Sequence, residues 1–224
     1  MFKNALLASA LLAGSMMATG SAMAVVITGS SGGSFSNITS CGVPDTCEII
    51  NGSNGTNTVL RWGDTNSFGS LTTPSTLTAV DVSINANAPP TATGVVLAQL
   101  DWFNSSTLAS RTNDEFGVTY TLTIAFTSPN GTNDTELFSL TINNTDNPQG
   151  DTIAGFTLTD LSNLSFNLGS VTLSNLRYAV YDNGDGNCLS GPDTTLSGNT
   201  WFNCEQNNAS LKILGDFSAA AVPE

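Results

Sequence analysis

The chain has 224 residues, a formal net charge of −13 at pH 7, no histidine, and 10% charged against 40% hydrophobic residues. Without an imidazole, a histidine general base, a histidine-ligated metal and a Ser-His-Asp triad are excluded. Only 5 bases stand against 18 acids, which argues against nucleic acid as a partner, and the supply of Leu, Val, Ile and Phe argues against a disordered chain.

The chain begins with a short positive stretch, Met1-Phe2-Lys3. An apolar run from Ala5 to Met17 follows, and Gly20-Ser21-Ala22-Met23-Ala24 ends in an A-x-A site. Residues 1–24 read as a signal peptide, with cleavage expected after Ala24. The apolar run is short for a spanning helix and is followed by Gly and Ser. The remaining length suits one all-β domain, the preferred reading, or two small ones.

Export gives the four cysteines a role. Cys41 and Cys47 bracket a Gly-Val-Pro-Asp-Thr loop, and Cys188 and Cys204 bracket a longer loop containing Gly191-Pro192-Asp193. An even count in an exported chain reads as two disulfides. Three connectivities exist; the preferred one joins Cys41 to Cys47 and Cys188 to Cys204, because both pairs close local loops. The spacings do not suit a zinc site.

Strands are expected, in chain order, at Thr58–Trp62, Leu77–Ile84, Val95–Asp101, Phe116–Phe126, Glu136–Asn143, Thr152–Leu158, Ser170–Leu173, Arg177–Tyr181, Thr200–Cys204 and Ser210–Phe217. The clearest is Phe116–Phe126, where Val118, Tyr120, Leu122, Ile124 and Phe126 alternate with threonines and Ala125, the period of a half-buried strand. Phe138, Leu140 and Ile142 give the next segment one apolar face. The two are expected to form a hairpin across a long, Asn-rich loop that opens with Ser128-Pro129-Asn130-Gly131. Leu158, Leu161, Leu164 and Leu168 approach a helical spacing, but the Ser and Asn between them favour turns, so at most a short helical turn is expected there. Many short strands, polar turns and no βαβ alternation predict an all-β fold. The expected architecture is an antiparallel β-sandwich, jelly-roll-like, with little or no helix outside the signal peptide. The single domain is expected over residues 25–218.

Three segments taken in order suggest a family: Thr58-Val59-Leu60-Arg61-Trp62-Gly63; Leu97-Ala98-Gln99-Leu100-Asp101-Trp102-Phe103-Asn104; and Trp201-Phe202-Asn203-Cys204-Glu205 leading into Ala209-Ser210-Leu211. This order resembles the choice-of-anchor K domain and the related THxN proteins, which are exported bacterial surface proteins. Asp101-Trp102 stands where the THxN motif has Thr-His, so the likeness is to choice-of-anchor K rather than to THxN proper. Members often end in a PEP-CTERM tail beginning Val-Pro-Glu-Pro, and here Ala219-Ala220-Ala221 is followed by Val222-Pro223-Glu224. The resemblance implies that residues 219–224 are a linker and the start of a truncated C-terminal sorting tail. It further implies sorting by exosortase-type machinery if the tail continues, and it implies no catalytic residues.

Other residues invite a chemical reading. Asp182, Asn183, Asp185 and Asn187 gather four side-chain oxygen donors, the chemistry that Ca²⁺ takes, although their spacing is not that of an EF-hand. The same residues, with Gly184 and Gly186, make tight turns, which is the preferred reading. Trp62, Trp102 and Trp201, with Tyr120, Tyr178 and Tyr181, are candidates for a carbohydrate-contact face. Their position in or beside strands favours core packing instead. The acid pairs Asp114-Glu115 and Asp182/Asp185 would serve a glycosidase only at a fixed separation, and solvated turn acids are the default. Glu205 follows Cys204 in the resemblance segment and is expected to accept a hydrogen bond or pair with an Arg.

The expected function is therefore that of a non-catalytic exported protein of the cell surface or of an extracellular, biofilm-associated matrix. It would need no cofactor, and its partners would be extracellular polysaccharide or matrix proteins. The alternatives are a carbohydrate-binding module, calcium-assisted, and then a secreted glycan hydrolase.

Overall fold

The computed structural model describes residues 24–39, 47–52, 57–63, 74–88, 91–105, 114–145, 149–184, 186, 188 and 191–220. The expected leader up to Met23, Cys41, Asp185, Asn187 and the Val222-Pro223-Glu224 tail lie outside the described residues.

Two antiparallel sheets face each other. One has seven strands in the order β11-β12-β9-β8-β7-β1-β5 and the other six, in the order β10-β13-β6-β4-β3-β2. The strands are β1 (Val25–Ser36), β2 (Cys47–Ile50), β3 (Thr58–Trp62), β4 (Ser75–Val80), β5 (Val82–Ala88), β6 (Thr91–Phe103) and β7 (Asp114–Ser128) in the first half. They continue with β8 (Thr132–Asn144), β9 (Asp151–Ala154), β10 (Val171–Asp182), β11 (Thr194–Ser197), β12 (Thr200–Asn203) and β13 (Asn208–Ala219). The all-β sandwich expected from the sequence is the fold. Its one described helix, α1 (Leu158–Asn163), is the short turn expected from the leucine spacing; Thr157 caps it by accepting from the Asp160 amide at 3.2 Å.

Alternation decides which side chains enter the core. In β7, Val118, Tyr120, Leu122, Ile124 and Phe126 are all buried, as are Phe138, Leu140 and Ile142 of β8. Leu60, Leu77, Leu100, Trp102 and Leu211 come from the facing sheet. At one end the core closes with aromatics: Phe126 meets Phe166 at 5.0 Å and Phe217 at 5.8 Å, both edge-on.

Several elements differ from the sequence expectation, each for a local reason. The β7–β8 hairpin has a short loop, because Asn133 and its neighbours pair in the ladder as far as Phe126 opposite Thr132. The expected strand Leu77–Ile84 divides at Asp81, and its halves join different sheets: β4 pairs β6, while β5 pairs β1. The expected strands 170–173 and 177–181 are one strand, β10, with a register shift between Ser174 and Arg177 and Asn175 at φ 52°. The strand expected over 152–158 ends at Ala154, because Gly155 turns the chain at φ 120°. Strands β1, β2 and β11 have no counterpart in the expectation. The glycines of β1 hide its strand character, yet Gly33 is there because a Cβ would overlap the Tyr120 ring, coming 2.8 Å from its hydroxyl.

Candidate functional site

At the end of the sandwich opposite Phe166, the inward-facing rows change from apolar to polar. The last apolar row of the seven-stranded sheet is Phe116–Ile142–Ile153–Trp201–Leu196, read straight across β7, β8, β9, β12 and β11. One step further out, Asp151 pairs with Asn203, and Asn203 with Thr194. The β8·β9 register, carried one step past Asn143 and Thr152, sets Asn144 beside Asp151. All four of these residues are buried: Asn144 is 6% exposed, Asp151 and Asn203 0%, Thr194 9%. They occupy the inward phase because side chains two apart on a strand share a face.

The facing sheet does the same. Asn104 lies two residues beyond Trp102, is fully buried, and accepts from the Ser75 hydroxyl at 3.3 Å. The turn that carries the chain from β12 to β13, Cys204 to Asn207, lies between the sheets and ties them together. The Asn104 amide nitrogen donates to the Asn203 carbonyl at 2.9 Å, and that of Asn203 to the Trp102 carbonyl at 3.3 Å. Asn207 donates to the Asn203 side-chain oxygen at 2.9 Å and to Asp182 at 3.0 Å. Gln206 stands at φ 62°, unusual for a residue with a Cβ, and its amide donates to the Asn104 carbonyl at 2.7 Å. Held in this way, the turn directs Glu205 inward. Cys204 is pinned by its disulfide to Cys188, with Cα atoms 5.5 Å apart.

Two acids are enclosed here. Asp151 is 0% exposed, and its Oδ1 accepts from the Thr145 amide at 2.7 Å; its Oδ2 has no hydrogen-bond partner. Glu205 is 2% exposed, and among the described residues neither Oε1 nor Oε2 has one. The Asn144 side-chain oxygen is likewise unpartnered. Burial raises the Asp151 carboxyl to about 7 despite the Thr145 hydrogen bonds, and burial together with the Asp151 charge raises Glu205 to about 8. Such groups either keep a proton or need a counter-charge, because an isolated carboxylate is costly away from water. Among the described residues Glu205 has neither of its expected partners, a hydrogen-bond donor or an Arg: Arg61 pairs with Glu48, Arg177 with Asp216, and Lys212 lies over the Tyr181 ring.

Cys188 and Cys204 form the expected disulfide. Cys47 is disulfide-bonded, and its expected partner Cys41 is outside the described residues. Trp62, Trp102 and Trp201 are 1%, 0% and 0% exposed, so they are core and present no ring face to a sugar. They run through the interior as a chain, Trp62 to Trp102 at 6.3 Å and Trp102 to Trp201 at 5.1 Å. The Trp201 indole donates to Thr194 at 2.9 Å, whereas the indole nitrogens of Trp62 and Trp102 have no partner among the described residues. Of the calcium candidates, Asp182 accepts from Asn207 and Asn183 donates to Ser210 at 2.6 Å, as in a bonded turn; Asp185 and Asn187 lie outside the described residues. A carboxylate of Asp193 lies within 4.8 Å of the sulfurs of Cys188 and Cys204, but disulfide sulfurs are not thiolate ligands. Asp151, Asn104, Asn144, Asn203 and Asn207 were not among the sequence candidates. The available signal was phase: each of Asn104, Asn144 and Asn203 continues an apolar alternation by one step.

Comparison with protein-family models, with curated proteins and with solved structures finds no match. Among the described residues no helix is long and apolar enough to cross a membrane.

Proposed function

We propose that this is a non-catalytic exported protein, displayed at the cell surface or in an extracellular matrix, whose rigid polar sandwich serves adhesion or assembly. The observation that carries the reading is the Cys188–Cys204 disulfide at a fully buried Cys204, since such bonds form and persist outside the reducing cytosol. The signal-peptide pattern of residues 1–24 agrees with it. Exosortase-type sorting through a tail opening at Val222-Pro223-Glu224 is part of the same proposal.

Two features weigh against the alternatives. Glycoside hydrolysis needs two carboxyls flanking a substrate, and the buried pair here is closed to solvent. A stacking platform needs exposed rings, and the three tryptophans are interior. What the surface offers instead is threonine-rich outer faces, such as the Thr123–Thr135 hydroxyl pair at 3.0 Å, and edge strands that can receive another chain.

Cell fractionation combined with a glycan panel tests the proposal. The expected result is processed protein in the envelope or matrix fraction, its disulfide formed, and no hydrolysis of any glycan. Unprocessed, reduced protein in the cytosol, or turnover of a glycan, would overturn it.

A further inference from the structure

We propose that Asp151, Glu205 and the side-chain oxygen of Asn144 form a binding site for one Ca²⁺ ion at the polar end of the sandwich. The acid pair alone would not justify a site. Asn144 adds a neutral donor: it is 6% exposed, faces inward in phase with Ile142, stands beside Asp151 in register, and its side-chain oxygen has no partner among the described residues. A proton on one carboxyl can satisfy only a single pair of these oxygens, whereas a cation takes all four at once. A cation serves both kinds of group.

The donors match a hard ion. Asp151 offers Oδ2, because Oδ1 is engaged with Thr145; Glu205 offers both oxygens; Asn144 offers one. These are carboxylate and amide oxygens only, the ligand set that calcium accepts in numbers of roughly six to eight with flexible geometry. Magnesium retains several of its waters and demands a strict octahedron, which suits an enclosed site poorly. Zinc and copper prefer nitrogen or sulfur, and the chain has no histidine. The three described bases are all engaged elsewhere, so among the described residues no side-chain cation neutralises the pair.

The scaffold is also suited to holding an ion. Asp151 and Asn144 come from paired strands, while Glu205 hangs from a turn fixed by the Cys188–Cys204 bond, the Asn104 contacts and Gln206. Calcium would therefore join the β12–β13 connection to the β8–β9 end of the seven-stranded sheet.

Equilibrium dialysis with ⁴⁵Ca²⁺ and thermal melting, at pH 8.5 and after EDTA treatment, test the site in the purified protein. The expected result is one ion per chain. At a hundredfold excess over Kd the melting temperature should rise by roughly 5–10 °C, and magnesium should produce little shift. Glu205→Gln and Asp151→Asn should each fold in EDTA and lose the binding, whereas Asp81→Asn, just past the end of β4 opposite to Ser75, should keep it. No bound calcium at millimolar concentration would overturn the site, as would binding retained in both Glu205→Gln and Asp151→Asn. An equal response to magnesium would overturn the assignment to calcium.

Discussion

The indole of Trp201 meets that of Trp102 edge-on, with ring centroids 5.1 Å apart and planes at 82°, and this contact crosses from one sheet to the other. It is the last apolar bridge before the polar rows begin, since Asn203 and Asn104 lie two residues beyond these tryptophans on their strands. Edge-to-face pairs add to the large area that such side chains bury. Trp201 also contacts Phe156 at 6.1 Å. Trp201→Ala should therefore lower the unfolding free energy by about 3–5 kcal/mol, read from urea unfolding. Retention on polysaccharide by the folded fraction should not change, because the ring is not on the surface.

Asn203 is the polar counterpart of that bridge. Its side chain donates to the carbonyls of Trp102 and Asn207 and accepts from Asn207. Asn203→Ala strands these groups away from water, which costs about 1–3 kcal/mol for each group left unsatisfied. The expected result is a destabilisation comparable with the loss of a core leucine, measured by chemical denaturation. Asn203→Asp should be worse, because it adds a third acid beside Asp151.

The buried acids predict an unusual pH dependence. Both folded-state values, about 7 and about 8, lie above the ordinary carboxyl range. The native state therefore holds protons that the unfolded chain releases, and stability falls as pH rises. The loss runs from about pH 4, where unfolded Asp and Glu titrate, to about pH 8. Thr145 is the group that bonds Asp151, and the Asp151 charge is the one that bears on Glu205. Asp216 is held low by Asn175 and the Gly94 amide and titrates outside this window. In EDTA, the urea midpoint should drop from pH 5 to pH 8, and Glu205→Gln should remove much of the slope. A flat profile for the unmutated protein would contradict the buried, unpaired state of these acids.

The disulfide should matter for order as well as for stability. It closes a loop with a sequence separation of 16 around β11 and β12, for which the chain-entropy model gives about 3 kcal/mol. Cys188→Ala with Cys204→Ala should lower stability by that order. Amide exchange should speed up first in β11, β12 and the turn carrying Glu205, since these lean on the bond most directly.

Much of the fold could be read from alternation. The periods of β7 and β8 placed Phe116, Val118, Tyr120, Leu122 and Phe138 on the buried face without any knowledge of the partner sheet, because a strand has only two faces and water selects between them. The pairing of Cys188 with Cys204 followed from local loop closure. Strand β3 was legible to the residue, whereas glycine-rich β1 was not, since a strand that packs its backbone against a ring carries no hydrophobic signal of its own.

Composition and periodicity alone determined that the chain is built of strands and that it has no imidazole chemistry, and they favoured the Cys188–Cys204 pairing, because each depends on residue types or on residues near one another in sequence. Only the tertiary structure decided that Asp81 separates two strands belonging to opposite layers, that the three tryptophans are interior, and that Asp151, Asn144 and Glu205 gather at one end. Those outcomes depend on cross-strand register and on the facing of two sheets. Such relations hold between residues far apart along the chain, and burial energy settles them only when the whole sandwich closes.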